Sequence, residues 1–134
     1  MIARAASLAL MLGVAAPALA QDAALAFVAG PDVIEVPPGA VEAIAGEDPP
    51  GQHIVTLSLD ADLAARFADL TARNIGEVVE VRICGAVAIA PRVMERIEGG
   101  TIRISGAFTA QEVADLARRI SDSDCEDFSS PFST

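Results

Sequence analysis

The chain contains no tryptophan, no tyrosine and no lysine, and its aromatic residues are five phenylalanines. Stacking platforms for bases and sugars are built from the missing rings, so single-stranded nucleic acid and carbohydrate are poor partners. Positive charge is scarce as well. Nine arginines stand against 19 acidic residues, and the net charge of −10 repels nucleic acid and anionic membrane surfaces. His53, Cys84 and Cys125 are the whole supply of nitrogen and sulfur ligands. They are too few and too far apart in sequence for a zinc site, so no metal and no cofactor are expected. Beyond residue 20, no apolar run approaches the length of a membrane span.

The first 20 residues are a different object from the rest. Arg4 precedes an apolar run from Ala5 to Ala16, Pro17 interrupts it, and Ala18-Leu19-Ala20 supplies the small-x-small pattern of a cleavage site. Residues 1–20 therefore read as a secretory signal peptide cut near Ala20/Gln21, which implies a periplasmic or secreted location. Export places Cys84 and Cys125 in an oxidising space, where an even number of cysteines argues for one disulfide. Residues 21–134 have the length of a single domain.

Hydrophobic periodicity supplies the element order. Residues 21–40 contain short apolar stretches broken by Gly30-Pro31 and Pro37-Pro38-Gly39, and read as an extended arm or edge strand. Val41 to Glu47 and His53 to Asp60 read as two strands joined by a proline-rich turn. Asp60 can cap a helix whose apolar stripe is Leu63, Phe67 and Leu70, ended by Gly76. Val79, Val81 and Ile83 alternate with Glu80 and Arg82 in a half-buried strand, and Gly85 turns the chain into a strand from Ala86 to Ala90, closed by Pro91. Gly99-Gly100 reads as a hairpin turn into a strand over Thr101 to Ser105. Thr109-Ala110-Gln111-Glu112 is a capping box. It starts a helix with Val113, Leu116, Ala117 and Ile120 facing inward and Asp115, Arg118, Arg119 and Asp122 facing water. The acidic tail, residues 123–134, frays unless Cys125 ties it back. The resulting class is α+β, a mostly antiparallel sheet with two helices packed on one face, in the order β-β-α-β-β-β-α.

Several residues invite a chemical role, and each has a plainer structural account. His53 reads as an ordinary strand-end residue. Ser105 lacks the surrounding glycines of a nucleophile elbow and reads as a turn serine. Gly99-Gly100 lacks the Gly-Lys-Ser of a phosphate cradle. Asp60 with Asp62, and Glu77 with Glu80, could serve as acid and base pairs, but caps and solvated strand faces account for them. Asp122, Asp124, Glu126 and Asp127 lack the spacing of a calcium loop.

Asn74-Ile75-Gly76, Gly85, Ala90-Pro91, Gly99-Gly100 and Ile104-Ser105-Gly106-Ala107-Phe108-Thr109 fall in an order and spacing that resembles the head part of the first periplasmic domain of SecD. SecD is the proton-driven accessory subunit of the protein-export translocon. The resemblance runs from about Val41 to Ile120, and residues 41–122 are taken as a head-like domain. It implies structural roles for Asn74, Gly76, Gly85, Pro91, Gly99, Gly100, Gly106, Phe108 and Thr109. Cys84 and Ile89 depart from the family pattern, in place of a polar residue and a small hydroxyl residue. The membrane helices with which SecD couples to proton flow have no counterpart among these residues, so the part of its activity that carries over is contact with exported polypeptide.

The function expected is thus that of an exported, non-enzymatic, SecD-like head domain that binds polypeptide or a protein partner in the cell envelope. Edge-strand pairing or contact through an open sheet face would supply the binding. The alternatives are an envelope structural or small-ligand-binding domain and a carboxylate-dependent hydrolase.

Overall fold

The computed structural model describes residues 23–132. Residues 1–20, read above as a signal peptide, lie outside these residues. Seven strands and two helices follow the order β1 (Leu25–Ala29), β2 (Asp32–Glu35), β3 (Val41–Glu47), β4 (His53–Leu59), α1 (Ala61–Arg73), β5 (Glu80–Ile83), β6 (Ala86–Ile89), β7 (Thr101–Ser105) and α2 (Ala110–Asp122). The α+β class and the order β-β-α-β-β-β-α from Val41 onward are as the sequence pattern indicates. Within the arm, residues 23–40 are more ordered than their proline and glycine content suggests. They form the β1–β2 hairpin, with Leu25, Phe27 and Ala29 facing inward.

The strands divide between two antiparallel sheets. One has the order β2-β1-β5-β6 and the other β3-β4-β7. Chain order alone does not reveal this split, because β5 takes β1 as its neighbour while β7 returns to β4. Gly99-Gly100 accordingly makes no hairpin between β6 and β7. The chain between them is too long for a tight turn and detours along α1. There the Ile97 amide donates to the Thr71 hydroxyl at 2.9 Å, and Arg96 pairs with Asp69 at 3.1 Å. Gly100 then starts β7 with its carbonyl accepting from the Leu59 amide at 2.8 Å. A Cβ at Gly100 would lie 2.8 Å from the Ala64 Cβ, so only glycine lets this turn lie against α1.

Local signals account for the element ends. The Asp60 carboxylate accepts from the Leu63 amide at 2.8 Å and caps α1. At α2 both halves of the capping box are made, Glu112 amide to Thr109 hydroxyl and Thr109 amide to Glu112 carboxylate. Cys84 and Gly85, both at positive φ, form the two-residue turn between β5 and β6. Paired positive φ values give a turn whose twist matches that of the strands it joins.

A single apolar core lies between the layers. Leu25, Phe27 and Ile83 enter it from the four-stranded sheet, Val55, Leu57 and Ile104 from the three-stranded sheet, and Leu63, Phe67, Leu116 and Ile120 from the helices. The Phe27 and Phe67 rings meet at 4.6 Å and lock α1 onto β1. Helix α2 packs on β3 and β4.

Candidate functional site

The three-stranded sheet has one covered face and one open face. Val41, Ala43, Val55, Leu57 and Ile104 point into the core. The opposite face presents Glu42, Ile44, Thr56, Ser58, Thr101 and Arg103. Ile44 is 54% exposed at the edge of this face. Ile54 shares the face yet is buried, and Arg103 reaches from β7 to Asp48 at 2.7 Å on the same side of the sheet. His53, at the strand end, has its Nδ1 3.7 Å from the Glu47 carboxylate.

The two edges of this sheet differ. At β3, the Ser121 hydroxyl of α2 accepts from the Ala43 amide at 3.0 Å and stands 3.3 Å from the Ala43 carbonyl, to which it can donate. Ser121 thus caps that edge, a role no sequence signal announces. β7 has no strand or side chain on its outer edge among the described residues.

The tail is strapped along α2. Cys84 and Cys125 form a disulfide with their Cα atoms 5.5 Å apart. Arg119, expected at the surface, is 8% exposed. Its guanidinium donates to Asp115 at 2.8 Å and to the carbonyls of Glu126 and Asp127, and lies 5.5 Å from the centre of the Phe128 ring. A solvent-facing assignment fails here because the returning tail covers that side of the helix. The i,i+4 pair Asp115/Arg119 followed by Cys125 was the available signal. The guanidinium of Arg119, with help from Arg118, holds the Asp115 carboxyl below its ordinary range. The Glu126 amide, followed by Arg118, does the same for Asp124. Further along, Phe132 meets Phe108 edge-on at 5.9 Å.

The candidates for chemistry are dispersed. Asp60 is a helix cap, Glu80 pairs with Arg82 at 3.2 Å, and Asp124 pairs with Arg118 at 3.0 Å. Ser105 is the exposed last residue of β7. Among the described residues no three His, Cys, Asp or Glu side chains converge as a metal site, and no helix is long and apolar enough to cross a membrane. The residues singled out by their order and spacing sit instead at joints. Asn74 ends α1, its side-chain amide donating to the Leu70 carbonyl at 2.8 Å and to Asp32 at 3.1 Å. Val79 donates to the Pro91 carbonyl at 3.0 Å, and a Cβ at Gly106 would stand 3.0 Å from the Phe108 ring. Thr109 caps α2.

Residues 38–122, which span both helices and the strands from β3 to β7, match the family model described as "SecDF, P1 head subdomain". The chain belongs to the SecDF P1 head family. SecD of Acidaminococcus fermentans, named as a protein translocase subunit, is 47% identical over 73 residues, covering 54% of this chain and 18% of that protein. SecD of Desulfurispirillum indicum is 41% identical over 63 residues, 47% of this chain and 12% of that one. The chain therefore corresponds to less than a fifth of the length of these relatives. A solved structure described as "Structure and function of a membrane component SecDF that enhances protein export" superposes with a TM-score of 0.59 at 27% identity, covering 63% of this chain and 39% of the other. The β1–β2 hairpin and the strapped tail fall outside the residues that match the SecDF head model.

Proposed function

We propose that this SecD-like head domain works in the periplasm after export, and acts by holding polypeptide or a protein partner during protein export rather than by catalysis. The observation that carries the reading is the match of residues 38–122 to the SecDF P1 head, whose relatives are named as protein translocase subunits. The open face of the three-stranded sheet, with Ile44 exposed at its edge, provides a surface suited to such contact. Of the side chains that invite acid–base chemistry, Asp60 is taken up as a helix cap and Glu80 and Asp124 in ion pairs. Site-specific photocrosslinking in living cells, scanned along β3, β4 and β7, tests it. Capture of polypeptide at positions on this sheet is expected, and a scan in which no position captures any polypeptide overturns it.

A further inference from the structure

Four strands lie at sheet edges, and three of them carry devices that blunt strand addition. β2 has four residues and sits between Pro31 and Pro37. β6 shifts register against β5 between Val81 and Arg82, and Pro91 follows it closely. β3 is capped at Ala43 by Ser121. β7 has none of these.

Hydrogen-bond phase shows which groups β7 offers. In an antiparallel ladder, opposed residues alternate between exchanging hydrogen bonds and pointing their backbone groups away. The Leu59 amide donates to the Gly100 carbonyl, so Gly100, Ile102 and Ile104 face β4. The same alternation carried across β4 turns Ala43 outward on β3, where its amide does meet Ser121. Thr101, Arg103 and Ser105 therefore direct their N–H and C=O groups to the free side, and all three residues are exposed. Arg103, the one charge on the strand, reaches back to Asp48 and leaves the edge clear.

We propose that β7 is a docking strand, on which an extended, net-basic polypeptide segment pairs with the outward backbone groups of Thr101, Arg103 and Ser105. This rests on the polypeptide-holding reading and specifies its site and its partner's chemistry. Backbone pairing is indifferent to side chains and suits an unfolded chain of varied sequence. The net charge of −10 favours basic segments over acidic ones, and Asp48 neutralises the one local arginine.

The test uses two fluorescein-labelled ten-residue peptides, one alternating Val with Arg and the other Val with Glu. Arg103→Pro deletes an outward N–H and leaves the β4 ladder whole, because the Arg103 amide is not part of it. Arg103→Ala removes the ion pair but keeps the N–H. Binding of the Val–Arg peptide is expected to weaken by about tenfold in Arg103→Pro and to stay within about twofold of the parent in Arg103→Ala. Thr101→Pro, which deletes the neighbouring outward N–H, gives a second reading if Arg103→Pro does not fold. Unchanged affinity in a folded proline variant, equal binding of the Val–Glu peptide, or no binding of the Val–Arg peptide overturns the proposal. Photocrosslinkers at Thr101 and Ser105, compared with ones at Ile44 and Thr56, separate the two claims. Capture at Ile44 or Thr56 alone refutes the docking strand and leaves the wider reading standing, whereas silence at these four and at every other position of the scan sinks both.

Discussion

Removing the Cys84–Cys125 bond is the sharpest test of how the tail is held. Cys125→Ser is the perturbation of choice, since Cys84 sits at a φ of 49° in the β5–β6 turn, where a replacement also changes the backbone preference of the turn. The two cysteines are 41 residues apart. Closing a loop of that length lowers the entropy of the unfolded chain by an amount worth about 4 kcal/mol in the chain-entropy model. With a guanidinium m-value of about 3–4 kcal/mol per molar for a domain of this size, the unfolding midpoint should fall by about 1 M. The m-value itself should rise, because an uncrosslinked unfolded chain exposes more surface. Helical circular dichroism is the readout, since the chain has neither tryptophan nor tyrosine to report by fluorescence. A midpoint shift below about 0.2 M with an unchanged m-value would refute the reasoning. The tail would then be held by the Arg119 clamp and the two phenylalanines alone.

Three further outcomes follow from the packing. Gly100→Ala places a Cβ 2.8 Å from the Ala64 Cβ at a φ of 68°, and should cost about 1–3 kcal/mol in chemical denaturation, with partial recovery in the double variant Ala64→Gly. Ser121→Ala uncaps the Ala43 amide and should cost about 1 kcal/mol, with faster hydrogen exchange at Ala43 as the specific sign. The Asp115 carboxyl is held below its ordinary range by Arg119, so its contribution is fully present above the unfolded value near about 3.9 and is lost as pH falls through the lower folded value. Acid titration of the parent should therefore show a loss of stability below about pH 4 that is smaller in Asp115→Asn, where the Asp124 contribution remains, and parallel curves for the two proteins would contradict it.

What could be read from the sequence was whatever depends on near neighbours. The Thr109/Glu112 box, the Asp60 cap and the alternation of Val79, Val81 and Ile83 all act within a few residues, and the element order followed from them. Pairing between distant strands left no such trace. Gly99-Gly100 has the composition of a hairpin, yet the partner of β7 is β4, reached only after the chain has run along α1. Leu25, Phe27 and Ala29 alternate as a buried strand, but the prolines and glycines around them concealed a hairpin that completes the second sheet. Arg119 and Ser121 were missed for a related reason. Arg119 lies on a helix face that periodicity assigns to solvent and is covered by the returning tail, and the partner of Ser121 is a strand distant in sequence. The disulfide was the one distant contact open to inference, because two cysteines in a chain read as exported allow a single pairing.

Cys84 has a mechanical consequence. Its amide donates to the Ala24 carbonyl at the entrance of β1, and its sulfur is bonded to Cys125 just beyond α2. Tension applied between those two flanking segments would reach β1 and β5 at the same end of their antiparallel ladder and open it from Leu25 and Ile83 inward, while the covalent bridge keeps the tail joined to β5. The three-stranded sheet meets that path through α2, which packs on β3 and β4, so the bridge at Cys125 takes load that the contacts of α2 would otherwise carry.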